Sequence, residues 1–391
     1  MSRKLKRPPY LAGLIGLGVV LALILTFGTS QENRTRVTSG RIAPEKLVLS
    51  GTPEEQAALR QLYADALKNG EHQVVVYQAA VDAEWQPLWA EFSKTFPGIE
   101  VVYMHLSPTG VTDRLDIETA TGAHYADVIS QPVNVVLSIA ERGYLQAYTP
   151  PTLGQLPEKY RGADDQVIFG FSKVYGLGYN TKQVKAEDLP QSIEALLSPE
   201  WQGRFEYGAP GGGAGTTDVA LVNLLSRGRI TWEDFLRLRD NGRSGPAQEG
   251  GVITIAQGRA SLAPWVYLPP FERQQKAGAP IGIAYIPDFT LIVPFGQGIV
   301  KEPAHPHAAK LLVSWLLTPQ GQKALAEKSA TLGNQPNAPS PSGYPTDPAQ
   351  RALAEPPPPT ETVVLLRQVV PVAVDVWQGG DLRRAPDRPI R

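Results

Sequence analysis

The chain has 391 residues, 42% of them hydrophobic, and 37 Lys and Arg against 38 Asp and Glu, for a formal net charge of −1. That length and apolar fraction support two compact lobes and exclude global disorder, while the balanced charge excludes the strong non-specific binding of a polycation, so no nucleic-acid partner is expected. With no Cys anywhere, a disulfide framework and a lipid attached through cysteine are both excluded, and an apolar core must supply the stability.

Arg3, Lys4, Lys6 and Arg7 precede an uncharged run over residues 11–27, the pattern of a membrane-insertion signal with its basic residues kept on the cytoplasmic side. The run is short for a hydrocarbon span and long for a signal-peptide core. Residues 1–30 are therefore read as a signal peptide or an N-terminal membrane anchor, with both outcomes open, and the rest of the chain as extracytoplasmic. Residues 31–51 read as a spacer. Thr52, Pro53 and Glu55 then have the spacing of a helix-starting capping box, and Ala58, Leu59, Leu62, Tyr63, Ala66 and Leu67 form one apolar stripe before Gly70.

Residues 72–77 read as an apolar strand, 84–96 as a helix with Trp85, Leu88, Trp89, Phe92 and Phe96 on one face, and 99–104 as a second strand. The aromatic stripe is expected in the core. Strand, helix, strand at this length is a βαβ unit, whose ligands lie beyond the carboxyl ends of parallel strands. The expected contacts are Gln78 and Ala79 after the first strand and Ser107, Thr109 and Gly110 after the second. A third unit has a helix near 111–120 and a strand at 126–129, where Asp127 either contacts ligand or caps the local backbone.

Residues 167–180 read as two strand-like pieces containing Tyr175 and Tyr179, which either contribute phenols or pack at a crossing. Between a strand-like 205–207 and a helical 218–225 lies GGGAGTT at 211–217. Gly212, Gly213, Gly215, Thr216 and Thr217 there offer backbone N–H groups, two hydroxyls and a helix start, a set that holds an anion or an oxygen-rich ligand. The order matches neither a dinucleotide fingerprint nor a nucleotide-binding P-loop. Further on, Trp265 and Tyr267 lie at a strand exit, either as an aromatic pocket wall or as loop packing. Strands return at 283–286 and 290–300, followed by a helix at 307–317. Two crossings of this kind place a hinge between two lobes and a pocket in the cleft.

This order of elements, with VVVY at 74–77, FSKTFPG at 92–98, ADV at 126–128, YNTK at 179–182, EDLP at 187–190, LSPEWQGR at 197–204 and AAKLLVSWLLTPQGQ at 308–322, resembles bacterial extracellular solute-binding proteins of family 1. The resemblance spans about residues 70–328 and is closest to the branch with ferric-iron, thiamine and phosphonate receptors. It implies an α/β, type II, two-lobed periplasmic-binding fold with two hinge crossovers, lobe 1 from 52–170 and 290–330 and lobe 2 from 171–289; the C-terminal extension at 331–391 departs from the pattern. It also implies delivery of solute to an ABC permease, with no catalytic residue and no cofactor. Ferric receptors in this branch often use two consecutive tyrosines with a His or carboxylate from the first lobe. The comparable stretch here, PWVYL at 264–268, has Tyr267 alone, and Gln78 stands where a first-lobe ligand is expected.

Fe(III) favours phenolate and carboxylate oxygens, so a small anionic solute, such as an organophosphonate or sugar phosphate, is the leading ligand class. Fe3+ as the transported ligand, with Tyr267 as a metal ligand, is the alternative. A ligand-sensing module and a secreted hydrolase are the other readings; Gly-x-Ser-x-Gly is absent, which disfavours the hydrolase. The tail, crowded with Pro, Ser and Asn over 334–360, reads as extended, and its apolar stretches at 361–370 and 372–377 as elements that dock back on a lobe.

Overall fold

A computed structural model of the protein describes residues 33–34, 40–80, 82–211, 216–245, 249–341, 343–344, 352, 354–380 and 382. The N-terminal apolar run, Gly212, Gly213, Gly215 and Arg383, Arg384, Arg388 and Arg391 at the basic end of the chain lie outside them.

The βαβ reading holds. Strands β2 (Gln73–Gln78) and β3 (Glu100–His105) pair in parallel, Val75 opposite Val102, and β4 (Val128–Pro132) pairs in parallel on the other side of β2. A two-residue β1 (Asn33–Arg34) runs antiparallel along the β3 edge. Helix α1 (Pro53–Lys68) begins with the capping box: Glu55 N–H donates to Thr52 Oγ1 at 3.2 Å and Thr52 N–H donates to Glu55 Oε2 at 2.8 Å. Helix α2 (Asp82–Thr95) crosses between β2 and β3, and α3 (Pro108–Thr121) between β3 and β4. The aromatic stripe is core: Trp85, Leu88, Trp89, Phe92 and Phe96 are all buried, each stabilising the fold by roughly 2–3 kcal/mol relative to exposure.

Past β4 come α4 (Val133–Glu141), a short β5 (Leu145–Gln146) and the long β6 (Ile168–Asn180). Where the sequence suggests two strand pieces there is one strand of 13 residues. Beyond it lie α5 (Ile193–Leu196), β7 (Glu206–Tyr207), α6 (Thr216–Ser226), α7 (Trp232–Asn241), β8 (Arg243–Ser244), α8 (Glu249–Ala256), β9 (Leu262–Tyr267), α9 (Leu268–Lys276) and β10 (Ile281–Ala284). The chain returns through β11 (Leu291–Val300), α10 (Pro306–Leu316), α11 (Pro319–Ser329) and β12 (Leu332–Gly333).

Among the described residues the main sheet has ten strands in the order β1-β3-β2-β4-β11-β6-β10, with β5 on β11 and with β9 and β12 on β6; β7 and β8 form a separate pair. Strand β6 pairs antiparallel with β11 from Ile168 to Tyr175 and with β9 and β10 from Tyr175 to Asn180. The sheet thus has a parallel half around β2 and an antiparallel half around β9 and β10, joined through β6 and β11. The apolar stretches of the tail do dock back, but as one element: residues 359–377 form a single helix, α12 (Pro359–Trp377), packed on α4, α6 and α7. Pro359 stands in the first turn, where a missing N–H costs nothing. Among the described residues, no helix is long and apolar enough to cross a membrane.

Asp127 is bonded where β4 begins, at the amino ends of the parallel strands. It is fully buried, accepts from Val75 N–H at 2.7 Å and His305 N–H at 2.9 Å, and pairs with His305 Nδ1 at 2.8 Å. Of the two readings of this residue, the backbone cap is the one the geometry fits. The hydrogen bond to Asp127 raises the His305 pKa against an opposing desolvation. The pair therefore contributes fully below the ordinary histidine value of about 6.5 and loses its contribution as pH rises through the raised one. Asp127→Asn is expected to cost about 2–4 kcal/mol in urea denaturation at pH 6, less at higher pH, and to leave solute affinity unchanged.

Candidate functional site

The carboxyl ends of β2 and β4 face the join between the two halves, and there a set of polar side chains is held in an apolar shell. Glu84 and Trp85 come from the first turn of α2. Lys173 and Tyr175 come from the middle of β6, Thr216 from the start of α6, Tyr267 from the end of β9, and Arg273 from α9. Phe171 and Phe295 supply apolar wall, with Trp85 5.0 Å and Phe295 6.0 Å from the Phe171 ring.

Tyr175 and Tyr267 are direct cross-strand partners with ring centroids 5.3 Å apart. Their alignment depends on a bulge. Between Gly178↔Ala263 and Gly176↔Val266 strand β9 holds one extra residue, and Trp265 there has φ +58°. Such a left-handed bulge residue turns the strand and re-phases the side chains beyond it.

The charges are unusual for a core. Lys173 is buried, with Nζ 4.4 Å from the Tyr267 ring centroid and 4.6 Å from that of Phe295, so two ring faces take part of the place of its hydration shell. Burial still pushes it down to about 8, against the opposing pull of Glu84. Glu84 is buried too, and Arg273 Nη1 reaches its Oε1 at 3.7 Å across the join. Both phenols are held well above the ordinary tyrosine value, first by burial and further by the Glu84 charge. The Tyr175 hydroxyl is hydrogen-bonded to Thr216. The Tyr267 hydroxyl has no hydrogen bond of ordinary geometry among the described residues, although Glu84 and Trp85 lie close enough to influence it.

Of the residues singled out in the sequence, Tyr175, Thr216 and Tyr267 meet at this cluster. Trp265 flanks it with its indole N–H turned to the Asp288 carbonyl at 3.3 Å. Thr217 Oγ1 donates to the Gly208 carbonyl at 2.8 Å. Gln78 is buried at the end of β2 with both ends of its amide engaged, donating to Ala80 O at 3.1 Å and accepting from Trp89 Nε1 at 2.8 Å; Ala79 packs on the core beside it. Ser107 caps α3, accepting from Gly110 N–H at 3.1 Å and lying 3.4 Å from the Thr109 hydroxyl. Asp127 lies outside the convergence. Glu84, Lys173 and Arg273 were not singled out and Trp85 was read only as core, although Lys173, the one charge in the run 167–180, carries a readable signal.

Among the described residues there is no cluster of three or more His, Cys, Asp or Glu suited to a metal; the oxygen donors gathered here are two phenols and one carboxylate. The open groove lined by Glu118, His124, Arg142 and Lys301, about 530 Å³ in volume, lies at the other end of β4 and β11, away from this set.

A cluster of buried polar side chains thus stands at the join of the two halves. The chain belongs to the family described as bacterial extracellular solute-binding protein, which matches residues 123–351. It is an extracytoplasmic binding protein rather than an enzyme. Solved structures place the fold. Iron-bound HitA from Pseudomonas aeruginosa is 21% identical with a TM-score of 0.62, covering 75% of this chain and 98% of its own. The periplasmic binding protein AfuA from Actinobacillus pleuropneumoniae, with fructose-6-phosphate bound, is 18% identical with a TM-score of 0.64, covering 78% and 98%. The substrate binding protein of an ABC transporter from Agrobacterium tumefaciens is 16% identical with a TM-score of 0.66, covering 80% and 95%. A search of curated protein sequences finds no match. The likeness establishes the type II periplasmic-binding architecture.

Lys173 offers a test of this environment. Between pH 8 and the ordinary lysine value of about 10.4, the unfolded chain holds a proton that the folded one has released, so this group makes stability rise with pH. In urea denaturation across that window, the stability of Lys173→Met relative to wild type is expected to fall steadily as pH increases. A constant difference would mean that Lys173 is not buried as described.

Proposed function

We propose that the protein is the receptor of an ABC importer and that its cargo is ferric iron, held by Tyr175, Tyr267 and Glu84 as the two halves close. The observation that carries this reading is the Tyr175–Tyr267 pair facing the Glu84 carboxylate. Hard Fe(III) favours such oxygens, and the iron-bound HitA structure shares the fold. Tyr175 is the second tyrosine that the stretch around Tyr267 lacks, supplied across the strand pair instead of along the chain. The cation on Lys173 would repel a bare metal ion, so the iron is expected to arrive with an anion that faces Lys173.

Protons are coupled to loading by the same geometry. The phenols are protonated in the apo protein and must ionise to ligate, so loading releases about two protons per ion and tightens as pH rises. Titration with ferric nitrilotriacetate is expected to produce a visible phenolate-to-iron charge-transfer band. Tyr175→Phe and Tyr267→Phe are each expected to weaken it and to cut affinity by about 100-fold or more. No band in the wild type would end the iron reading.

A second reading rests on Lys173 itself. A buried ammonium between two ring faces suits a small anionic solute, and AfuA, of the same fold, was solved with a sugar phosphate. Calorimetry with fructose-6-phosphate separates the two: metal-independent binding abolished by Lys173→Met favours the anion.

A further inference from the structure

Helix α12 lies across the join. Toward its start, Val363 belongs to the same apolar cluster as Val133, Val136 and Leu137 of α4, and Arg367 pairs with Glu141 at the end of that helix at 2.5 Å. Helix α4 in turn packs on β4 and β11. Toward its end, Trp377 meets the Tyr207 ring edge-on at 5.3 Å and stacks on Phe235 of α7 at 6.4 Å, while Arg239 Nη1 donates to the Val376 carbonyl at 2.6 Å. Val374 lies over Gly211, at φ +70°, where a Cβ on that glycine would come within 2.7 Å of a Val374 methyl. One helix of 19 residues, about 28 Å long, therefore has one end on the parallel half and the other beside Gly211, Tyr207 and Phe235 of the antiparallel half.

Strands β6 and β11 also connect the halves, but they pass through the join and can flex as a hinge. The α12 contacts are different in kind. Any motion that draws α4 away from α6 and α7 must strip buried apolar side chains, Val363 at one end or Ala373 and Val376 at the other, and expose them to water. We propose that α12 is a strap that holds the two halves closed over the site, and that release of one of its ends is the step that lets solute exchange. This rests on the reading that the halves separate, and is independent of which solute they hold.

The absence of cysteine makes the test direct. In the full chain, Lys94→Cys on α2 and Lys276→Cys on α9, both with exposed side chains, supply the only two thiols for a donor–acceptor dye pair. Single-molecule energy transfer without added solute is then compared for Val363→Asn, which weakens the α4 end, and Trp377→Ala, which weakens the other. Each is expected to raise the low-transfer population at least five-fold. Should Val363→Asn not fold, Arg367→Glu on the exposed ion pair takes its place, with Glu141→Lys as its rescue. Unchanged populations, in variants whose α12 amides have lost hydrogen-exchange protection, overturn the strap. Arg273→Ala, which cuts the ion pair to Glu84 across the join, separates two kinds of failure. If it opens the molecule and the strap variants do not, the strap alone is wrong. If none of them opens it, separation of the halves is wrong and the strap falls with it.

Discussion

The antiparallel pairing of β6 with β11 is the constraint on which the rest of the structure depends. Both strands are almost wholly buried, and between them they tie the parallel strands β2 and β4 to the antiparallel strands β9 and β10 in one hydrogen-bonded sheet. Because β6 changes partners near Tyr175, its middle residues stand at the join itself. Lys173 and Tyr175 are accordingly placed by the ladder that holds the halves together, and not by a loop that could wander. A site built on strands in this way is more sharply positioned than one carried on loops.

The same placement explains why the site is electrostatically costly. An ammonium, a carboxylate and two phenols are taken out of water together, and the protein offsets this with ring faces over Lys173 and a cross-join contact from Arg273 to Glu84. Groups in such surroundings respond strongly to whatever enters: a cation draws protons off the phenols, an anion stabilises the ammonium. In the proposed cycle this response, together with closure of the halves and the hold of α12, links occupancy to shape. A ligand shifts that balance only by the difference in its affinity for the open and closed forms.

Much of the fold was legible because it rests on local signals. The capping box at Thr52 and Glu55, the aromatic stripe from Trp85 to Phe96, and the strands at 72–77 and 99–104 all appear where their periodicity places them. The site was legible only in part. Tyr267 and Thr216 could be named from their position at element ends, but Tyr175 becomes their partner only through the β6–β9 register and the bulge at Trp265, and no local pattern reports a pairing 92 residues apart. Asp127 has the same ambiguity in sequence as any buried carboxylate beside a strand; only the position of His305 decides it. In the tail, the apolar stretches at 361–370 and 372–377 were legible as docking elements, but Pro371 between them hid that they form one helix.

Anomalous diffraction at the iron edge, from crystals of protein loaded with ferric nitrilotriacetate, tests the central claim most directly. The account predicts one strong peak within bonding distance of the Tyr175 and Tyr267 hydroxyls and the Glu84 carboxylate. A peak elsewhere on the molecule, with those three side chains unmoved and unliganded, would contradict it.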